Sequence, residues 1–307
     1  MTTAQGHSPN SARPAKNPRR WRRRIVGNCI LYCVVATVLY ACADNVILHP
    51  STQPIRGVAQ KMDIPGPAGS LEIWKIRTRA ARIHPPQAFV LTFIGNASRA
   101  EFEAPYVAEQ WGDRAVEVWG VNYPGFGGSA GKAKLASIAP AAIAAFDALK
   151  QQAGGRPIFV AGRSIGTTAA LYVAAHRPVD GVIMHSPPPL RKLIMGHFGW
   201  WNLWLAAVPV SLGVPADLDS IQNAKHLSAP GVFIITEGDS LVPPKYQQMV
   251  IDAYAGPKQI VRMPGVDHND DIPDSVLPSV RSAFDVLLSQ ATEHAKSPTS
   301  ALANHGG

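Results

Sequence analysis

A serine hydroxyl is a poor nucleophile near neutral pH unless a neighbouring base takes its proton, and that base needs an acid to orient it. Three residues of this 307-residue chain fit those roles, and each follows an apolar run. Ser164 lies in Ile158-Phe-Val-Ala-Gly162-Arg-Ser164-Ile-Gly166, where a β-branched and aromatic run enters a G-x-S-x-G turn and an alanine-rich helical pattern leaves it. Such a strand–turn–helix holds the serine on a sharp bend with its Oγ exposed, and its glycines let two backbones pass where a Cβ would not fit. Asp239 ends Gly231-Val-Phe-Ile-Ile-Thr-Glu-Gly-Asp239, and His268 ends Met263-Pro-Gly-Val-Asp-His268. When the nucleophile sits on such an elbow, the partners follow in the order Ser, Asp or Glu, His. We therefore expect Ser164 as nucleophile, His268 as general base and then general acid, and Asp239 as the carboxylate that fixes the imidazole tautomer.

Rivals to each assignment exist. Gly127-Gly-Ser129-Ala-Gly131 has the same five-residue pattern, but Ser129 sits several residues past its strand, behind Pro124 and Gly125. Glu237 competes with Asp239; it lies two residues earlier, close to the strand itself rather than in the loop beyond. Asp267, Asp270 and Asp271 around His268 could suggest metal ligands. No other histidine has ligand-like spacing with them, so they read as a solvated acidic loop, and neither a metal nor a cofactor is expected.

Acyl transfer also requires N–H donors aimed at the developing oxyanion. The residue after the nucleophile, Ile165, supplies one, and the loop Phe93-Ile-Gly-Asn96-Ala points to the N–H of Asn96 as the other. Each such donor contributes on the order of 10²–10³ in turnover.

These residues need a scaffold. Leu71–Ile76 alternates with period two, as a half-exposed strand does. Residues 88–93, 115–121, 158–161, 181–185, 231–236 and 259–263 are apolar runs of strand length, most suited to burial on both faces. Helical patterns cover 137–151, with Pro140 expected near the first turn, and 276–290. Strands alternating with helices imply an α/β fold with a mostly parallel sheet covered on both faces, and functional residues at the strands' carboxyl ends. About forty residues between 190 and 229 exceed what a crossover needs and read as an inserted helical cap. In that cap Trp200, Trp201 and Trp204 either line an apolar acyl pocket or lie on a lipid surface, or else pack a small lid onto the body.

The net charge of +8 is local. Seven arginines and lysines fall within residues 1–24, and the remaining 22 basic residues face 21 acidic ones, which argues against a nucleic-acid partner. The basic arm abuts residues 25–43, an uncharged apolar stretch close to the roughly 20 residues that span a bilayer. Arginines on its N-terminal side keep that side cytoplasmic and send the rest across the membrane, into the periplasm in a bacterium. All three cysteines lie inside this stretch, so the body has no disulfide and no thiol nucleophile. Val38-Leu-Tyr-Ala-Cys42 is similar to a bacterial lipobox, so an uncleaved signal anchor and a lipidated Cys42 both fit. The domain proper then covers 44–290, and residues 291–307, rich in Ser, Ala and Gly, read as a disordered tail.

The chain resembles the α/β-hydrolase superfamily, and within it the membrane-anchored α/β-hydrolase-domain serine hydrolases. The resemblance rests on Gly95-Asn-Ala97, on Asn122-Tyr-Pro-Gly-Phe-Gly-Gly-Ser-Ala-Gly131, on the elbow at 162–166, on Gly238-Asp-Ser-Leu-Val-Pro243 and on Gly265-Val-Asp-His268. It implies cofactor-free hydrolysis of esters, thioesters or occasionally amides, with a small-molecule or lipid-like ester as substrate. Ile94 departs from the His-Gly usual in the oxyanion loop; the backbone donor survives this change, while the side-chain hydrogen bond that steadies the loop does not. A peptidase of the same fold and a non-catalytic binding protein are the rival functions.

Overall fold

The computed structural model describes residues 18–53, 55 and 57–296. Residues 1–17 of the basic arm and 297–307 of the tail lie outside the described residues. Eight strands form a single sheet among those described: β1 (Gln60–Gly66), β2 (Gly69–Arg77), β3 (Ala88–Phe93), β4 (Val116–Val121), β5 (Ile158–Arg163), β6 (Gly181–His185), β7 (Gly231–Thr236) and β8 (Lys258–Met263). Their order across the sheet is β1-β2-β4-β3-β5-β6-β7-β8. Only β2 runs against the others, pairing antiparallel with both β1 and β4.

Period-two alternation feeds both faces of the sheet. On β3, Phe89, Leu91 and Phe93 enter one core, shared with α5 (Leu135–Ala153) and α6 (Gly166–His176), while Ala88 and Val90 enter the other. That second core is closed by α4 (Ala100–Gln110) and α11 (Leu277–Lys296), where Trp111 stacks on Phe284 at 4.5 Å. Because β3 lies between β4 and β5, the chain leaves β3 to one side, returns and crosses to the other. This reversal opens a crevice at the carboxyl ends of β3 and β5.

Several elements differ from the sequence reading. The first strand, β1, was hidden by its polar composition and Pro65; it is the sheet's edge, where a proline is tolerated. The helix expected from residue 137 starts at Leu135, so Pro140 lies in its second turn rather than near its start. Helix α11 extends to Lys296, past the expected end at 290. At the other end of the chain, α1 (Pro18–Ala41) passes directly into the short α2 (Ala43–Ile47). Helix α1 is about 36 Å long at 1.5 Å per residue, and within its residues 19–41 an 18-residue stretch reaches a mean hydropathy of 1.7, long and apolar enough to cross a membrane. The β6–β7 connection holds α7 (Leu190–Gly196), a 3₁₀ turn at Trp200–Asn202, α8 (Ala207–Leu212), a second 3₁₀ turn at Ala216–Leu218 and α9 (Ser220–Ala224). Helix α3 (Arg79–Ile83) lies between β2 and β3, and α10 (Pro244–Ala253) follows β7.

Candidate active site

The elbow after β5 is shaped by exclusion. A Cβ on Gly162 would stand 2.5 Å from the Gly166 carbonyl carbon, and one on Gly166 would stand 2.1 Å from the Phe93 carbonyl oxygen. Neither position accepts a side chain. Between them Ser164 adopts φ +53°, a left-handed conformation uncommon outside glycine. Its N–H donates to the His185 carbonyl at 2.9 Å on β6, and its carbonyl accepts from Thr167 at 3.0 Å as α6 begins. The strain at Ser164 is thus held from both sides.

Ser164, Asp239 and His268 come together from the ends of β5, β7 and β8. His268 Nε2 lies 2.9 Å from Ser164 Oγ, and His268 Nδ1 lies 2.7 Å from Asp239 Oδ2. All three are buried to within 9% exposure, so water competes little for these bonds. Asp239 is saturated with donors: Leu241 and Val242 N–H bond Oδ1 at 3.0 and 2.6 Å, and Thr236 Oγ1 bonds Oδ2 at 2.8 Å. Burial pushes its carboxyl up, but the bonds from His268, Val242 and Thr236 outweigh that and hold it below the usual carboxylate range.

The rivals are occupied elsewhere. Glu237 pairs with Arg262 at 3.3 Å on the surface. Ser129 is buried, accepting from Glu72 N–H at 2.9 Å and donating to the Asn122 carbonyl at 2.7 Å, so it ties β2 to the chain leaving β4. Asp267 accepts from the N–H groups of His268 and Ser240 at 2.7 and 2.8 Å, and Asp270 accepts from Asp267 N–H at 2.8 Å. These two acids shape the loop that presents His268.

The sequence reading missed two supports. Gln247 on α10 is fully buried; its amide donates to the Val242 carbonyl at 2.8 Å and reaches Asp239 Oδ2 at 3.3 Å. A polar residue between Tyr246 and Val250 on an otherwise apolar helix face was the available signal. Arg163, immediately before the serine, donates to the His268 and Asp270 carbonyls at 2.9 and 3.3 Å, tying the elbow to the histidine loop.

Beneath this tie lies Glu103 of α4. Burial pushes its carboxyl up to about 7, although the Arg163 charge and a Ser98 hydrogen bond pull the other way. An acid with a raised folded pKa binds more protons folded than unfolded, so its contribution to stability falls as pH climbs from about 4.5 through about 7. Urea unfolding of Glu103→Gln against wild type should therefore show a stability advantage that grows between pH 4 and pH 8, to about 3 kcal/mol at most. A difference independent of pH would mean that Glu103 stays ionised in the folded protein.

The loop after β3 sits above the nucleophile: a Cβ on Gly95 would be 3.8 Å from that of Ser164. Asn96 and Ile165 both border the same cavity as Ser164, and Ile165 stands at the N-terminus of α6, whose dipole favours negative charge. Ile94 itself is buried, and its carbonyl accepts from Tyr123 Oη at 3.4 Å. The cavity measures about 580 Å³ and is walled by Leu193, Ile194, Trp201, Val210 and Leu241, together with Leu39 and Val46 from the N-terminal helices. Of the three cap tryptophans, Trp201 lines it; Trp200 and Trp204 do not, and the Trp204 indole N–H instead donates to the Met195 carbonyl at 2.9 Å. Cys42 is partly exposed at the junction of α1 and α2, where its carbonyl accepts from Asn45 and Val46.

The sequence model of the serine aminopeptidase S33 family matches residues 84–220, which include the β3 loop and Ser164 but end before Asp239. An uncharacterized protein of Mycobacterium tuberculosis is 29% identical over 184 residues, 59% of this chain and 63% of that one. Lysophosphatidylserine lipase ABHD12 of Mus musculus is 27% identical over 158 residues, 43% of this chain and 39% of that one. The chain thus spans less than two thirds of the length of these curated relatives. Est1E from Butyrivibrio proteoclasticus with bound ferulic acid superposes with a TM-score of 0.61 at 17% identity, covering 74% of this chain and 99% of that one. An aminopeptidase family, a lipase and an esterase have the scaffold in common rather than the substrate, and that scaffold is what this chain shares with all of them: it belongs to the α/β-hydrolase superfamily.

Proposed function

We propose that the protein is a membrane-tethered serine hydrolase that cleaves carboxylic esters or thioesters, including lipid-like and acylated substrates, through an acyl-enzyme on Ser164. The observation that carries this reading is the continuous hydrogen-bonded path from Asp239 through His268 to Ser164 Oγ at the wall of an apolar cavity. Ser164 Oγ attacks the acyl carbonyl while its proton passes to His268 Nε2, and the oxyanion forms against the N–H groups of Ile165 and Asn96. His268 then gives that proton to the departing alcohol or thiol. Water, deprotonated by the same imidazole, attacks the acyl carbon and releases the acid with Ser164 restored.

An acyl chain suits the cavity, because its lining has no carboxylate to pair with a substrate amine. That favours esters over the peptidase reading, which the name of the matching family model supports. The 190–229 segment acts as a cap over this acyl site. We read residues 25–43 as an uncleaved signal anchor with the catalytic domain extracytoplasmic. Leu39 walls the cavity, and α8 meets the end of α1 so closely that a Cβ on Gly213 would stand 2.4 Å from Ala43 Cβ and 3.1 Å from the Tyr40 carbonyl. Cleavage before Cys42 would remove that wall, and the intact mass of the mature protein distinguishes the two.

A fluorophosphonate probe tests the assignment. Wild type should be labelled and Ser164→Ala should not; labelling that persists in the variant would sink the reading. The same preparation should hydrolyse medium-chain p-nitrophenyl esters faster than short, water-soluble ones, and the opposite preference would remove the lipid-like part of the proposal.

A further inference from the structure

Of residues 94–97 in the loop above Ser164, only Asn96 has a side chain capable of hydrogen bonding, the others being Ile94, Gly95 and Ala97. The loop also contains a costly turn, since Ala97 holds φ +58°. What steadies the Asn96 amide is a segment far away in sequence. Its Nδ2 donates to the Ile47 carbonyl at 2.6 Å, and its Oδ1 accepts from His49 N–H at 2.9 Å and from Ala97 N–H at 3.1 Å. Ile47 and His49 belong to the seven residues that join the apolar N-terminal helix to the body.

That segment is itself fixed. Ala43 and Leu48 are buried in the main core, and Asp44 Oδ1 accepts from Leu135 N–H at 2.8 Å at the start of α5. Val46, Ile47 and His49 face the same cavity as Ser164. A short, anchored stretch of backbone therefore grips the side chain of the residue whose N–H we assign to the oxyanion, and it grips that side chain by both its donor and its acceptor.

We infer that residues 43–49 form a strap that sets the geometry of the oxyanion loop, and that the Asn96 side chain is a positioning residue acting through the strap. The inference rests on the serine-hydrolase reading above. A donor worth 10²–10³ in turnover loses much of its effect when displaced, because oxyanion stabilisation depends on where the N–H points rather than on its presence. The strap thus makes the membrane-proximal connection part of the catalytic device, whether or not the helix before it is retained.

His49 allows a test with the loop's own residues untouched. His49→Pro removes the N–H that bonds Asn96 Oδ1, and Leu48 already has the extended backbone (φ −92°, ψ 133°) that a following proline requires. His49→Ala lacks the same imidazole but keeps the N–H. In the full chain, kcat of His49→Pro should fall about ten-fold below that of His49→Ala, with KM and the thermal midpoint of the two variants alike. Affinity for a trifluoromethyl ketone, which forms an oxyanion on the serine, should fall by the same factor. Equal kcat in two folded variants would overturn the strap. If His49→Pro does not fold, Asn96→Ala takes its place: it keeps the backbone N–H, and an unchanged kcat there overturns the inference equally. A wild-type protein that neither hydrolyses esters nor takes the fluorophosphonate label would instead refute the hydrolase reading itself.

Discussion

Ser164→Ala and His268→Ala should each lower turnover by about 10⁶, and the double variant should be little worse than either. In the proposed mechanism the two side chains perform one act: the oxygen cannot attack without losing its proton, and the imidazole can take a proton from water only after that attack has formed the acyl-enzyme. Their 2.9 Å contact makes them a single unit, so their losses do not add. His185, whose carbonyl the serine N–H already uses, offers no replacement. It is buried, and desolvation is the main cause that brings its pKa down to about 3, with the charges of Arg163 and His268 acting in the same direction. Its contribution to Ser164 is a main-chain carbonyl that holds the serine N–H. Steady-state rates for the three variants, with thermal unfolding to show that each is folded, check this. Additive losses would mean that serine and histidine act in separate steps.

Asp239→Asn should cost about 10⁴ in turnover while leaving the fold intact. The substitution preserves shape but reverses one polarity. Asp239 is acceptor only, with Leu241 and Val242 N–H on Oδ1 and His268, Thr236 and Gln247 on Oδ2. An amide must turn its NH₂ either to the two backbone donors, where it clashes with N–H groups, or to His268. Facing His268, it donates to Nδ1, which moves the imidazole proton to Nε2 and leaves nothing there to accept the proton of Ser164. The measurement is kcat with a parallel unfolding curve. Glu237→Gln is the control: Glu237 faces Arg262, and its loss should leave turnover at the wild-type level. A large loss in Glu237→Gln with little in Asp239→Asn would exchange the two roles.

Much of this site is legible in the sequence because each member follows an apolar strand. A buried strand has a composition that stands out, and in a parallel sheet its carboxyl end is where chemistry collects. Ser164, Asp239 and His268 are found in this way, and so are Asn96 and the strands β3, β6 and β7, whose boundaries coincide with their apolar runs. What escapes is whatever depends on packing rather than on pattern. β1 is polar because its one neighbour is β2 and much of it faces solvent. The partners of Gln247 and Arg163 emerge only once the helix and the elbow carrying them are placed. The grip of Ile47 and His49 on Asn96 joins positions 47 and 49 residues apart, and no local periodicity encodes it. The three cap tryptophans look alike in sequence, and only the fold of the β6–β7 connection sends Trp201 to the cavity and Trp204 to the Met195 carbonyl.

Ser129 has a consequence for anyone who scans this chain one serine at a time. Both serines stand in the same five-residue pattern, and both substitutions would abolish activity in a cell lysate. The reasons are unrelated. On the proposed mechanism, Ser164→Ala removes a reagent from an intact molecule. Ser129→Ala leaves the Glu72 N–H and the Asn122 carbonyl without partners in the interior, a loss of roughly 1–3 kcal/mol for each buried group left unsatisfied. The first yields abundant, silent protein and the second yields little protein at all, so soluble abundance, rather than activity, tells a chemical serine from an architectural one.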